Sequence, residues 1–206
     1  MRRDQEGFTL IEVLVVSALL SIVTVSFYQV AFSGVRGSDV AGDVVTISEE
    51  ARLGLNRMIR DTREAEVLVS ASATSFTVQG DFDRDGTVEP TPTPGGHPAE
   101  AEELTYAFDA AARTVTLNGE ILFEGVEQIG STSVVRYFSN NLRYDANGDG
   151  VTDESEINAS VGNGNTVLDL AEERALVTDV LFTFAVRSGD RVTEFNGKAQ
   201  MRNRRL

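Results

Sequence analysis

The chain has 206 residues and a formal charge of −14, from 18 basic and 32 acidic side chains. That balance opposes broad phosphate-backbone binding, which needs lysine and arginine to replace released counterions, so no nucleic-acid partner is expected. Cysteine is absent, which excludes disulfides, thiolate metal sites and a cysteine nucleophile. A domain of this composition must rely on its core or on metal ions.

The N-terminal stretch Gly7-Phe8-Thr9-Leu10-Ile11-Glu12 opens an apolar run that continues almost unbroken to Phe32. At about 1.5 Å per helical residue the run is long enough to cross a hydrocarbon core of about 30 Å. Its one acidic or basic residue is Glu12, and a carboxylate in a bilayer is expensive enough to be treated as functional. A secretory signal ends its apolar region in a small-residue cleavage site, whereas here the glycine comes first. Arg2 and Arg3 supply the positive charge expected on the cytoplasmic side; Asp4 and Glu6 cancel it, so residues 1–7 carry no net charge.

These residues resemble the type IV prepilin family, which includes pilins and the pseudopilins of type II secretion. The resemblance implies cleavage after Gly7 by a prepilin peptidase, methylation of the new terminal amine on Phe8, and pairing of Glu12 with the terminal amine of a neighbouring subunit during assembly. A buried carboxylate and a buried amine offset each other's desolvation only when brought together, which favours one axial register. Implied partners are other pilin or pseudopilin subunits, the peptidase, an inner-membrane assembly platform and, before assembly, membrane lipid. The implied location is the inner membrane, crossed once with the head outside the cytoplasm, and then a pilus or pseudopilus.

After the anchor, Gly34, Gly37 and Gly42 mark a place where the helix has weaker support. Val40, Val44, Ile47, Ala51, Leu55 and Met58 then recur at steps of three or four and define one apolar stripe. Arg52, Asn56, Arg57, Arg60 and Asp61 are expected on the wet side. The spacing predicts one helix to about Arg63, lipid-buried in its first half and amphipathic in its second.

Beyond Glu64 the period becomes alternating. Val67-Leu68-Val69 and Phe76-Thr77-Val78 read as a hairpin. Leu104, Tyr106 and Phe108 share one face of a strand, and Thr114 to Leu117 returns to Ile121-Leu122-Phe123 through Asn118-Gly119, the favoured two-residue turn. Val134, Val135 and Tyr137 suggest another strand. Val180, Phe182, Phe184 and Val186 alternate cleanly, and a last strand runs to about Met201. Helix first and antiparallel strands afterwards is an α+β order, with a sheet packed on the amphipathic helix. The expected division is 1–7 leader, 8–33 transmembrane and filament-core helix, 34–65 amphipathic stem, and 66–206 antiparallel β head with acidic loops. This spine-and-head plan resembles the larger minor pilins and the larger minor pseudopilin.

Two acidic loops interrupt the strands. Asp145-Ala146-Asn147-Gly148-Asp149-Gly150-Val151-Thr152-Asp153-Glu154-Ser155-Glu156 matches the twelve-residue calcium loop. Oxygen side chains stand at Asp145, Asn147, Asp149 and Asp153, Gly150 at the sharp turn, a carbonyl at Val151 and a closing carboxylate at Glu156. Convincing flanking helices are lacking, although Leu168 to Ala175 has the makings of a short helix and Asn158 to Asn165 reads as a glycine- and asparagine-rich extension of the loop. The expectation is a structural calcium site and no calcium switch.

The second loop has Asp81, Asp83, Asp85 and Thr87 at the same spacing, but Pro92 stands where the closing glutamate belongs. Either Glu89 closes a shorter cage or the loop is an acidic turn that binds no ion. His97 lies in a proline-rich loop with no visible partner, so it is read as solvated. Lys198, Arg202, Arg204 and Arg205 read as a solvated basic tail.

No catalytic constellation can be assembled, so an enzyme is not expected. The leading reading is a minor pilin of a type IV pilus, at its initiating or tip end, because bulky loops are hard to pack at every position of a filament. A minor pseudopilin of type II secretion is the alternative. A filament-displayed adhesin or DNA-binding module is a third reading, and it would need an exposed aromatic patch or a basic stripe.

Overall fold

The computed structural model describes residues 9–88, 102–165 and 167–202, with the side chains at 31 and 33–45 outside that description, Val40 and Val44 among them. The expected helix forms as α1, Leu10–Glu64. The chain divides into two units, Met1–Asp43 and Val44–Leu206.

In the first unit, Leu10–Val30 is one stretch of 21 residues, long and apolar enough to span a membrane, with none of it buried in the protein. Its serine and threonine hydroxyls need no outside partner. Ser17, Ser21, Thr24 and Ser26 each donate back along the helix, to the carbonyls of Leu14, Ser17, Leu20 and Ile22 at 2.7–2.9 Å. Such back-bonding lets a polar side chain sit in hydrocarbon without an orphaned donor.

In the second unit the strands form two antiparallel sheets, where the alternation pointed to one. Strands β1 (Val67–Ala71), β2 (Ser75–Gln79), β3 (Glu103–Asp109), β4 (Thr114–Leu117) and β5 (Glu120–Glu124) make a meander in chain order. The second sheet runs β10 (Arg191–Gln200), β9 (Asp179–Ser188), β7 (Val135–Ser139), β8 (Thr152–Asp153), with β6 (Val126–Glu127) also paired to β9. Asn118 and Gly119 carry φ of 51° and 86° between β4 and β5, the left-handed pair that a two-residue hairpin turn requires.

The buried sides of the sheets meet through rings: Phe76 of β2 lies 5.3 Å from Phe182 of β9, and Phe123 of β5 lies 5.5 Å from Phe184 of β9. The predicted stripe Ala51, Leu55 and Met58 is buried against this cluster, with Ile47 half-buried beside it. Close approach depends on small residues. A Cβ on Gly54 of α1 would stand 2.3 Å from the Phe123 ring, and one on Gly197 of β10 would stand 2.6 Å from Ile59 Cδ1.

Asp61 departs from expectation: it is 4% exposed, not on the wet side. Its carboxylate accepts the Tyr106 hydroxyl at 2.6 Å, and Arg57 and Arg60 reach it at 3.5 and 3.1 Å. The charge is tolerated inside because it is paired and hydrogen-bonded. Burial first, then the neighbouring Asp61 charge, pushes the Tyr106 phenol well above its ordinary value, so it remains a hydrogen-bond donor.

Gly54→Val is expected to destabilise the head by about 1–3 kcal/mol, the usual cost of overpacking a filled core. Chemical denaturation of the full chain would read this as a lower midpoint, and an unchanged midpoint would mean that the Phe123 ring has room to yield.

Candidate functional site

Three features carry the chemistry that the sequence pointed to: the start of α1 and the two acidic loops. Gly7 and Phe8 lie outside the described residues. Glu12 is exposed in the first turn of α1, where its own N–H reaches the Thr9 carbonyl at 3.1 Å and the Thr9 hydroxyl at 3.3 Å. A carboxylate at this end of a helix faces the positive pole of the helix dipole.

The first loop is wound around its own carboxylates. Asp145 accepts the N–H groups of Gly148 and Asp149 on Oδ1 and of Gly150 on Oδ2, at 2.7–3.1 Å. Asn147 Oδ1 accepts from Asp149 N, and Asp149 Oδ1 from Val151 N, each at 2.8 Å. Glu156 turns back to close the ring: its Oε1 takes Ala146 N at 2.6 Å and Asn147 N at 3.2 Å. It is 4% exposed although charged, and those N–H groups compensate its burial. All six predicted positions, Asp145, Asn147, Asp149, Val151, Asp153 and Glu156, therefore belong to one curled segment.

The exit from this loop corrects the expectation that no convincing helix flanks it. A helix α2, Glu154–Val161, begins directly there, with Asp153 as its N-cap. Asp153 Oδ1 accepts Ser155 N and Glu156 N at 3.0 and 3.2 Å, while Glu156 Oε2 receives Asp153 N at 3.3 Å. This is a reciprocal capping box. Just before that helix Thr152 and Asp153, as β8, pair with Ser139 and Phe138 of β7, so the last third of the loop is tied to a sheet and runs directly into a helix. The short helix expected in Leu168 to Ala175 forms as α3, Ala171–Arg174. Asn158, read as loop, lies in α2 and is 1% exposed; its amide donates at 2.6 Å to Glu173, which is fully buried.

The second loop repeats three of the first loop's backbone bonds, but among the described residues nothing takes the place of the pair that Asp145 Oδ1 accepts, because Asp81 Oδ1 has no hydrogen-bond partner. Asp81 Oδ2 accepts Gly86 N at 3.0 Å, Asp83 Oδ1 accepts Asp85 N at 2.9 Å, and Asp85 Oδ1 accepts Thr87 N at 2.8 Å and the Thr87 hydroxyl at 2.6 Å. The Thr87 bonds hold the Asp85 carboxyl below the usual range. Glu89 lies outside the described residues. The group that meets the loop is one that sequence reasoning missed. Glu102, just before β3, accepts Phe82 N on Oε1 at 3.0 Å, the place that Glu156 holds against Ala146 in the first loop. Nothing in the local spacing signals this, because the residue is brought there by the β2–β3 pairing of Gln79 with Glu103. One carboxylate oxygen each from Asp81, Asp83 and Glu102 lie within 4.8 Å of one another.

Of the basic tail, Lys198 is tied to buried Asp179 at 3.1 Å, and Arg202 N–H bonds the Arg63 carbonyl at 3.3 Å. Arg204 and Arg205 lie outside the described residues, as do Pro92 and His97.

Asp153→Ala is expected to cost about 0.5–2 kcal/mol through loss of the α2 cap alone. Thermal unfolding in excess chelator isolates that part; no loss there would mean that Asp153 caps nothing in solution.

No curated protein and no solved structure matches the chain. Residues 2–28 match the family model described as the prokaryotic N-terminal methylation motif. The motif spans Gly7, Phe8 and Glu12 and runs into the uncovered apolar stretch Leu10–Val30. Motif and helix fit each other, and the chain carries the type IV prepilin and pseudopilin signature.

Proposed function

We propose that this chain is a minor pilin, a structural and non-catalytic subunit of a type IV pilus. It inserts once in the inner membrane with its β head outside the cytoplasm and is cut after Gly7 and methylated on Phe8. It then joins the filament at the initiating or tip end through its apolar helix and Glu12. The observation that carries this reading is the coincidence of the methylation motif with an apolar helix that the protein itself leaves uncovered. Such a surface is stable only against lipid or other apolar helices. A cell offers both in turn if the subunit moves from membrane to filament.

The test is mass spectrometry of sheared surface filaments and of the remaining membranes, searched for the methylated peptide that begins at Phe8. Its presence in sheared filaments supports a surface pilus. Confinement to membranes would favour a pseudopilus of type II secretion, and an unprocessed Met1 terminus in both fractions would remove the reading. Glu12→Ala is expected to insert normally and to be strongly depleted from filaments; normal incorporation would sink the pairing role.

We further propose that the first acidic loop holds a structural calcium ion through oxygens of Asp145, Asn147, Asp149 and Glu156, the Val151 carbonyl and, directly or through water, Asp153. The donor set is entirely oxygen, as a hard cation requires. Binding to the folded state alone stabilises it by mass action, about 2.7 kcal/mol at a calcium concentration of 100 Kd. Calcium is expected to raise the unfolding temperature of the full chain in detergent, and Asp145→Ala to remove most of that rise. An Asp145→Ala chain with an undiminished shift would place the ion elsewhere.

A further inference from the structure

We propose that the loop at Asp81–Thr87 holds a second calcium ion, in a discontinuous cage closed by Glu102. In a self-contained calcium loop the closing glutamate follows eleven positions after the first ligand, which here would be Pro92. The fold supplies the carboxylate from another segment. The same contact appears at both loops: the closing glutamate accepts the N–H of the loop's second residue, Glu156 that of Ala146 and Glu102 that of Phe82. Three carboxylates thus converge, with one oxygen of each inside a 4.8 Å span.

Two further observations point to a cation between them. Asp81 Oδ1 is wholly enclosed and has no hydrogen-bond partner, whereas Oδ2 of the same group is satisfied by Gly86 N. Buried polar atoms are almost always paired, and an orphaned carboxylate oxygen calls for a ligand of positive charge. Glu102 is 1% exposed, so its carboxylate is held against Asp81 and Asp83 in a place where solvent screens poorly. Mutual repulsion of three carboxylates so placed would open the loop, and a divalent ion turns the same arrangement into attraction. The donor set has no nitrogen or sulfur, which selects a hard cation of the calcium kind over zinc or copper.

The consequence is structural. Asp81 and Asp83 follow β2 and Glu102 precedes β3, so an ion here would pin together the two ends of the long connection between adjacent strands. Neither the filament reading nor the first loop is needed for this site, and the experiment separates them.

Calcium bound per chain is measured by equilibrium dialysis and elemental analysis, on the full-length protein in detergent. The background is Glu156→Gln, which disables the first loop. This chain is expected to keep one saturable calcium site. Adding Glu102→Gln should weaken it at least tenfold, and adding Asp83→Ala, at an exposed position outside the core, should do the same without disturbing folding as read by circular dichroism. Absence of calcium binding in the Glu156→Gln chain would overturn the proposal. Binding that survives Asp83→Ala with unchanged affinity would also overturn it, whether or not the Glu102→Gln chain folds.

Discussion

In the head, the second half of α1 can lie close to both sheets because two positions carry no side chain. Gly54 admits the Phe123 ring of the first sheet, and Gly197 admits Ile59 and Leu55 onto the second. Through these contacts one apolar stripe, Ala51, Leu55 and Met58, is shared by both halves of the core. The ring pairs Phe76–Phe182 and Phe123–Phe184 then join the sheets directly. With no disulfide available, this packing and any bound cation carry the stability of the head.

Polar groups enter that core where geometry satisfies them. Asp61 gathers the Tyr106 hydroxyl and two arginines, and Tyr137 uses its hydroxyl on the Ser72 backbone. Burial pushes the Tyr137 phenol well above its ordinary value, so it stays neutral and able to donate. The apolar helix near the N-terminus solves the converse problem, sending the hydroxyls of Ser17, Ser21, Thr24 and Ser26 back onto its own carbonyls so that these four donors are not stranded.

The acidic loops follow a third rule. Each bends its carboxylates inward onto backbone N–H groups, and each ends against a glutamate that is almost fully buried, Glu156 or Glu102. A chain with 32 acidic residues gains nothing from crowding them unless a positive charge enters. That is why the proposed calcium sites and the strongly acidic composition belong to one physical argument.

The sequence by itself determined what local periodicity and covalent spacing can encode. The apolar run from Phe8, Gly7 and Glu12 of the methylation motif, the stripe from Ile47 to Met58, the Asn118-Gly119 turn and the strand alternation are each written within a few neighbouring residues. The Asp153 and Glu156 capping box was equally legible, yet both residues were read as calcium ligands, because one spacing serves both purposes; α2 was missed in consequence. Only the tertiary structure decided the rest. Helical period put Asp61 on the polar face, but Tyr106, 45 residues away, gives it a buried partner. Alternation marked strands without saying that they split into two sheets, since hydrogen-bond pairing is not encoded in period two. Pro92 was the local evidence against a second closed loop, and Glu102 reaches that loop only because β2 and β3 pair. Contacts made by strand pairing join residues whose distance along the chain carries no signal.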